Sequence, residues 1–198
     1  MIREHYQALD HISAQASDVI GISDPTRPVK LRADSPAFDA MTDLRKVHPV
    51  SVTPAETLDE AHSTMIVCGV KLLFVKNAQG HLCGLLTAAD LAGERAMQEA
   101  QNTGRTVPEL TVADLMTEVP DIEFLEFSTV ARAEIGHIVA TLKEHNRQHA
   151  LVVDKQPGKM QVVGLFSATQ IARQMGVPLS APVRASTFAE IEAVVASV

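Results

Sequence analysis

The sequence predicts an α+β fold built from two copies of one β-α-β-β-α unit. Three observations carry this. The stretch Gly84-Leu85-Leu86-Thr87-Ala88-Ala89-Asp90 returns, altered, as Gly164-Leu165-Phe166-Ser167-Ala168-Thr169-Gln170. The dipeptide Met41-Thr42 returns as Met116-Thr117. Between these landmarks both copies run through one order of hydrophobic periodicities: extended, helical, extended, turn, extended, helical.

Residues 1–37 read as an N-terminal arm. Asp24-Pro25-Thr26-Arg27-Pro28 breaks any helix there, and Asp34-Ser35-Pro36 marks a new helix start. Ile2, Leu9, Ile12, Val19 and Ile22 are too apolar for a solvated tail, so the arm is expected to pack on the body or on a partner subunit. Residues 38–101 form the first copy. An extended stretch at 49–52 leads to an amphipathic helix after Thr57, with Leu58, Ala61, Met65 and Ile66 on one face and Gly69 as a left-handed stop. A strand at 72–75, the turn Asn77-Ala78-Gln79-Gly80 and a strand at 82–86 make a hairpin. A second helix follows Thr87 and ends near 97–101.

After a linker at 102–110, the second copy occupies 111–176. It runs through an extended stretch at 122–127 and a helix with Ile135, Ile138, Val139 and Leu142 on one face. Asn146 stands in the place of Gly69. A hairpin of strands at 150–153 and 162–166 turns through Asp154 to Gly158, and the closing helix ends at Met175-Gly176. This copy is longer, with insertions near 123–133 and in the hairpin turn. Residues 177–198 are a tail in which Thr187 and Glu190 make a capping box, with Phe188, Ile191, Val194, Val195 and Val198 as a stripe behind it. A three-stranded sheet with helices on one face leaves its other face open, and two copies pressed together would cover it.

Composition excludes several classes. The 198 residues carry 17 Lys and Arg against 24 Asp and Glu, a net charge of −7, which argues against a nucleic-acid polymer as partner. No apolar run is long enough to cross a membrane, and the N-terminus lacks a secretory h-region. Cys68 and Cys83 lie in apolar stretches and read as reduced core residues, with a cytoplasmic location as the expectation. Met65, Met97, Met116, Met160 and Met175 read as core filler, and the histidines lack metal-ligand spacing. No Walker loop, nucleophile elbow or His-Glu-x-x-His is present, so no enzyme activity and no cofactor is predicted.

The candidate chemistry lies in the closing heptad. Thr87 is placed as an N-cap at a strand-to-helix turn, where free N–H groups favour an anion. Asp90, one turn in, can accept hydrogen bonds from neighbouring hydroxyls. A phosphate beside a diol is what a nucleotide offers. A plain capped helix with a first-turn acid accounts for the same heptad.

The duplicated order, the Met-Thr lead-in, the hairpin Asn77 and Asp154 and the closing Gly-apolar-apolar-Thr/Ser-x-x-Asp together resemble a tandem CBS-domain pair, or Bateman module. The resemblance covers roughly 38–176. It implies a pseudo-twofold pair of repeats and a stand-alone regulatory role. It also implies adenine nucleotide binding (AMP, ADP or ATP) between the copies, with S-adenosylmethionine or a cyclic dinucleotide as alternative ligands. By the family's pattern, the first site takes Thr87 and Asp90 from copy one and Arg147, Gln148, His149 and Ala150 from copy two, with His149 as the basic residue facing phosphate. The second takes Ser167 and Gln170 with Lys71 and Leu72 facing them. Gln170 replaces the acid and Leu72 the basic residue, so that site is expected to be empty or weak. Family members commonly pair into homodimers, and a ligand-free homodimerisation module is the competing reading.

Overall fold

The computed structural model describes residues 10–15, 17–21 and 30–177. In the first half, short strands β1 (Thr42–Asp43) and β2 (Ser51–Val52) precede helix α1 (Leu58–Cys68). Thr57 caps α1 in a reciprocal box with Glu60, and Gly69 ends it at φ 64°. Strands β3 (Leu72–Lys76) and β4 (Leu82–Thr87) form the hairpin. The closing helix is split at Gly93 into α2 (Ala88–Ala92) and α3 (Glu94–Thr103), where the sequence predicts one helix. Gly93 is extended, at ψ 177°, and serves as the cap of α3.

The second half opens with α4 (Val112–Leu115) and β5 (Thr117–Glu118). Strand β6 (Phe124–Glu126) is followed by α5 (Phe127–Val130), one extra helical turn at the predicted insertion. Helix α6 (Ile135–Glu144) ends in His145 and Asn146, and Asn146 takes the left-handed conformation at φ 49°. Strands β7 (His149–Gln156) and β8 (Lys159–Ser167) and helix α7 (Ala168–Gln174) complete it. Both hairpin strands run further toward their turn than the periodicity predicts.

The strands form two four-stranded sheets, ordered β2-β3-β4-β5 and β1-β8-β7-β6. Each sheet thus takes its fourth strand from the other copy. β1 pairs antiparallel with β8, Thr42 opposite Leu165, and β5 pairs with β4, Thr117 opposite Leu85. This explains why the repeat keeps both a Met-Thr and a Gly. A Cβ at Gly84 would stand 2.7 Å from Met116 Sδ and 2.9 Å from the Thr117 carbonyl oxygen, and one at Gly164 would run into the Met41 side chain. The two landmarks are the two sides of one contact, exchanged between copies.

Each unit has its own core. Leu58, Ala61, Met65, Leu73, Val75 and Leu86 meet Leu110, Val112 and Leu115, which precede β5. Ile135, Ile138, Val139, Leu142, Phe166 and Ile171 meet Ala37 and Ala40, which precede β1. A third cluster, Leu72, Phe74, Ile122 and Leu151, joins the two units. The open faces of the two sheets are therefore closed against each other.

Several sequence expectations need correcting. Ile66 is 68% exposed, because the buried stripe of α1 runs through residues 58, 61 and 65 and position 66 turns away from it. Met97 and Met160 are exposed rather than core, and Cys68 is exposed at the end of α1. Residues 30–37 hold to the second unit through backbone hydrogen bonds: Leu31 N–H to the Gln174 carbonyl (3.1 Å), Ile135 N–H to that of Ser35 (2.9 Å) and Gly136 N–H to that of Ala33 (2.8 Å). Ile2, Leu9 and Ile22 of the arm, and the tail with its capping box, lie outside the described residues. No helix among the described residues is long and apolar enough to cross a membrane.

Candidate functional site

The pairing of the two units leaves a cavity of about 540 Å³ between them. From the first unit it is lined by Lys71 and Leu72 at the head of β3, Leu85 and Thr87 on β4, and Ala88, Ala89 and Asp90 on α2. From the second come Thr117 on β5, Ile122 and Glu123 before β6, Asn146, Arg147 and Gln148 after α6, His149 and Leu151 on β7, and Thr169 on α7. The strand period explains the selection: side chains alternate faces, so His149 and Leu151 reach the cavity while Ala150 turns into the second core.

Five of the six residues assigned from sequence to the first site line this one cavity: Thr87, Asp90, Arg147, Gln148 and His149. Ala150 does not. Lys71 and Leu72, assigned to the weak second site, line the same cavity, because β3 and β7 begin side by side at the junction. Ser167 and Gln170 lie outside it. The Gln170 side-chain oxygen accepts from the Thr42 hydroxyl at 3.2 Å, so a strand exchanged from the other copy already occupies it. The sequence reading missed Thr117 and Ile122, although Thr117 belongs to the repeated Met-Thr and was a usable signal.

The heptad's local chemistry combines a cap with a charged wall. Asp90 Oδ2 accepts from the Thr87 backbone N–H (2.8 Å) and hydroxyl (2.6 Å), and Asp90 N–H donates to the Thr87 hydroxyl (3.3 Å). Asp90 Oδ1 pairs with Arg95 at 3.0 Å. The Ala88 N–H donates to the Lys71 carbonyl at 3.0 Å. Most of the N–H groups expected to await an anion are thus already bonded, and α2 has only five residues. The cations that face the cavity are side chains, Lys71 and Arg147.

His149 differs from the expected basic residue. Burial pushes its imidazole down to about 4; the positive charge of Lys71 adds to the depression, and the Asp90 carboxylate opposes it. It is therefore a neutral hydrogen-bonding group at pH 7. Leu72 and Leu151, 5% and 2% exposed, join Leu85 and Ile122 as an apolar wall. Gln148 has a side-chain oxygen that is buried and without a hydrogen-bond partner. An unpaired buried acceptor costs on the order of 1–3 kcal/mol, so a ligand N–H that reached it would gain correspondingly. No cluster of His, Cys, Asp or Glu that could hold a metal is present among the described residues.

Two β-α-β-β-α units, each sheet completed by a strand from the other copy, thus close face to face over a shared cavity. Residues 39–96 match the family model of the CBS domain. The second unit is built on the same order of elements as the matched one. The fold of the chain is similar to that of a conserved protein of Pyrococcus horikoshii, with a TM-score of 0.53, 20% identity, and coverage of 77% of this chain and 100% of that one. It is also similar to the CBS domain pair of protein MJ0100 in complex with 5′-methylthioadenosine and S-adenosyl-L-methionine, with a TM-score of 0.50, 19% identity, and coverage of 72% and 96%. No curated protein matches the chain in sequence.

Proposed function

We propose that the chain is a regulatory module that binds an adenosine-type ligand in the cavity between its two units. The observation that carries this is one lining with three parts: an apolar wall of Leu72, Leu85, Ile122 and Leu151, Gln148 with its unpartnered side-chain oxygen, and the cations Lys71 and Arg147. A planar base fits the first, its N–H groups suit the second, and a phosphate or carboxylate suits the third. Ribose hydroxyls would share the Asp90 carboxylate with Thr87 and Arg95, which already hold it. The volume lies in the range of ordinary small-molecule sites. The adenosine derivatives bound by the MJ0100 pair support the same ligand class. Ligand binding would shift the balance between two arrangements of the units to the extent that it prefers one of them.

The test is a calorimetric screen of the full chain against AMP, ADP, ATP, S-adenosylmethionine and cyclic dinucleotides. A ligand at about a hundredfold above Kd adds roughly 2.7 kcal/mol of stability, or about 5–10 °C in Tm for a chain of this size. Lys71→Ala and Asp90→Ala are each expected to weaken binding about tenfold. Lys71→Ala is the cleaner probe, since Asp90 also caps α2. Absence of heat and of any Tm shift with every ligand refutes the reading. A second reading, a ligand-free homodimerisation module, is favoured by Ile66 and Val67, 68% and 85% exposed on α1. It predicts a dimer in light scattering and no ligand response in wild type or variants.

A further inference from the structure

The geometry points to Glu123 as a selectivity residue, a resident counter-anion that opposes ligands with added negative charge. This inference rests on the cavity being the ligand site. Glu123 Oε2 lies 3.4 Å from Arg147 Nη2 and 3.1 Å from His145 Nδ1. Both Glu123 and Arg147 line the cavity. Arg147, one of the two cations available there, is therefore already paired in the unliganded protein.

The backbone behind this contact is anchored. Glu123 follows Ile122, which is 8% exposed in the cluster between the sheets and whose N–H donates to the Val119 carbonyl at 3.1 Å. Strand β6 begins immediately after it. Glu123's own side chain is 63% exposed, so the carboxylate can swing while its backbone stays in place. An exposed pair of this kind is weak, which makes it displaceable. An anionic group that takes Arg147 must move the carboxylate aside or bind beside its charge. A neutral ligand leaves it where it is.

The inventory of the lining agrees. Of the lining carboxylates, Asp90 is paired with Arg95 and Glu123 with Arg147, and His149 is neutral at pH 7. Glu123 is thus the charge that offsets Arg147 in the lining. Removing it frees that cation, and the gain should grow with each added phosphate.

The experiment is calorimetric titration of wild type and Glu123→Gln with adenosine, AMP and ATP at low salt. Glu123→Gln is expected to bind AMP about three- to fivefold more tightly, ATP by more than that, and adenosine within about twofold of wild type. In an Arg147→Gln background the gain from Glu123→Gln should largely vanish. An unchanged AMP affinity, an equal gain for adenosine, or a gain that survives loss of Arg147 overturns the inference. If no adenosine compound binds either protein, the proposed function fails separately. Inorganic pyrophosphate then decides on Glu123: tighter binding by Glu123→Gln upholds the inference, and equal or absent binding overturns it. Matched thermal unfolding of the variants excludes misfolding as the cause.

Discussion

Replacing His149 with Gln should flatten the acid side of the stability profile. The imidazole has a pKa of about 4 in the folded chain against 6.5 as its ordinary value, with burial as the leading cause. The unfolded chain therefore binds a proton between those values that the folded chain refuses. The unfolded state holds more protons, so stability rises with pH across this window: it is complete above pH 6.5 and declines as the pH falls toward 4. Integrated from pH 7 to pH 5, this one group removes about 2 kcal/mol, roughly 4–8 °C in Tm. Lys71 and Asp90 face the ring from the first unit, and Arg147 and Glu123 share its cavity from the second. The assay is urea unfolding of wild type and His149→Gln at both pH values. The other histidines are common to the two proteins and cancel in the comparison. If both proteins lose the same stability between pH 7 and pH 5, the buried neutral imidazole is refuted. A related measurement concerns ligand. An anion seated beside the ring favours the imidazolium, so AMP binding near pH 6 should take up protons, seen as a binding enthalpy that varies with the ionisation enthalpy of the buffer.

Two further outcomes follow from the packing and the caps. Gly84→Ala brings a methyl against Met116 and the Thr117 carbonyl, and the backbone atom cannot swing away as a thioether can. A loss of about 1–3 kcal/mol is expected in urea unfolding, and a neutral substitution would show that the exchanged strand is not seated as described. Asp114 caps α4 with Thr111 and accepts two hydrogen bonds from Arg105, which hold its carboxyl down to about 2. Asp114→Ala should cost about 1–2 kcal/mol near pH 7. The charged contribution is present above the ordinary pKa of 3.8 and is lost as the pH falls through 2, so wild type and variant should converge there.

Much of the fold was legible because short-range rules encode it. The capping box at Thr57 and Glu60, the left-handed Gly69 and Asn146, and the buried stripe of Ile135, Ile138, Val139 and Leu142 each depend on residues within a turn or two of one another. The candidate site was legible only as a set of side chains. Thr87, Asp90, Arg147, Gln148 and His149 emerged from the repeat and do converge on one cavity. The reading assigned Lys71 and Leu72 to a separate site, because nothing local says that the heads of β3 and β7 face one cavity. It also left out Glu123, which meets His145 and Arg147 only across the end of α6.

By itself, then, the sequence determined the duplication, the order of elements within each unit, and the apolar faces that make two units close on one another. The tertiary structure alone decided which sheet receives each short lead-in strand, since that pairing joins Thr42 to Leu165 and Thr117 to Leu85 across long stretches of chain. It alone decided that His149 is neutral, for a pKa depends on the dielectric and on the charges of Lys71 and Asp90 in space. Periodicity and capping act over a few residues, whereas burial and Coulomb interactions act between whatever the closed fold brings together.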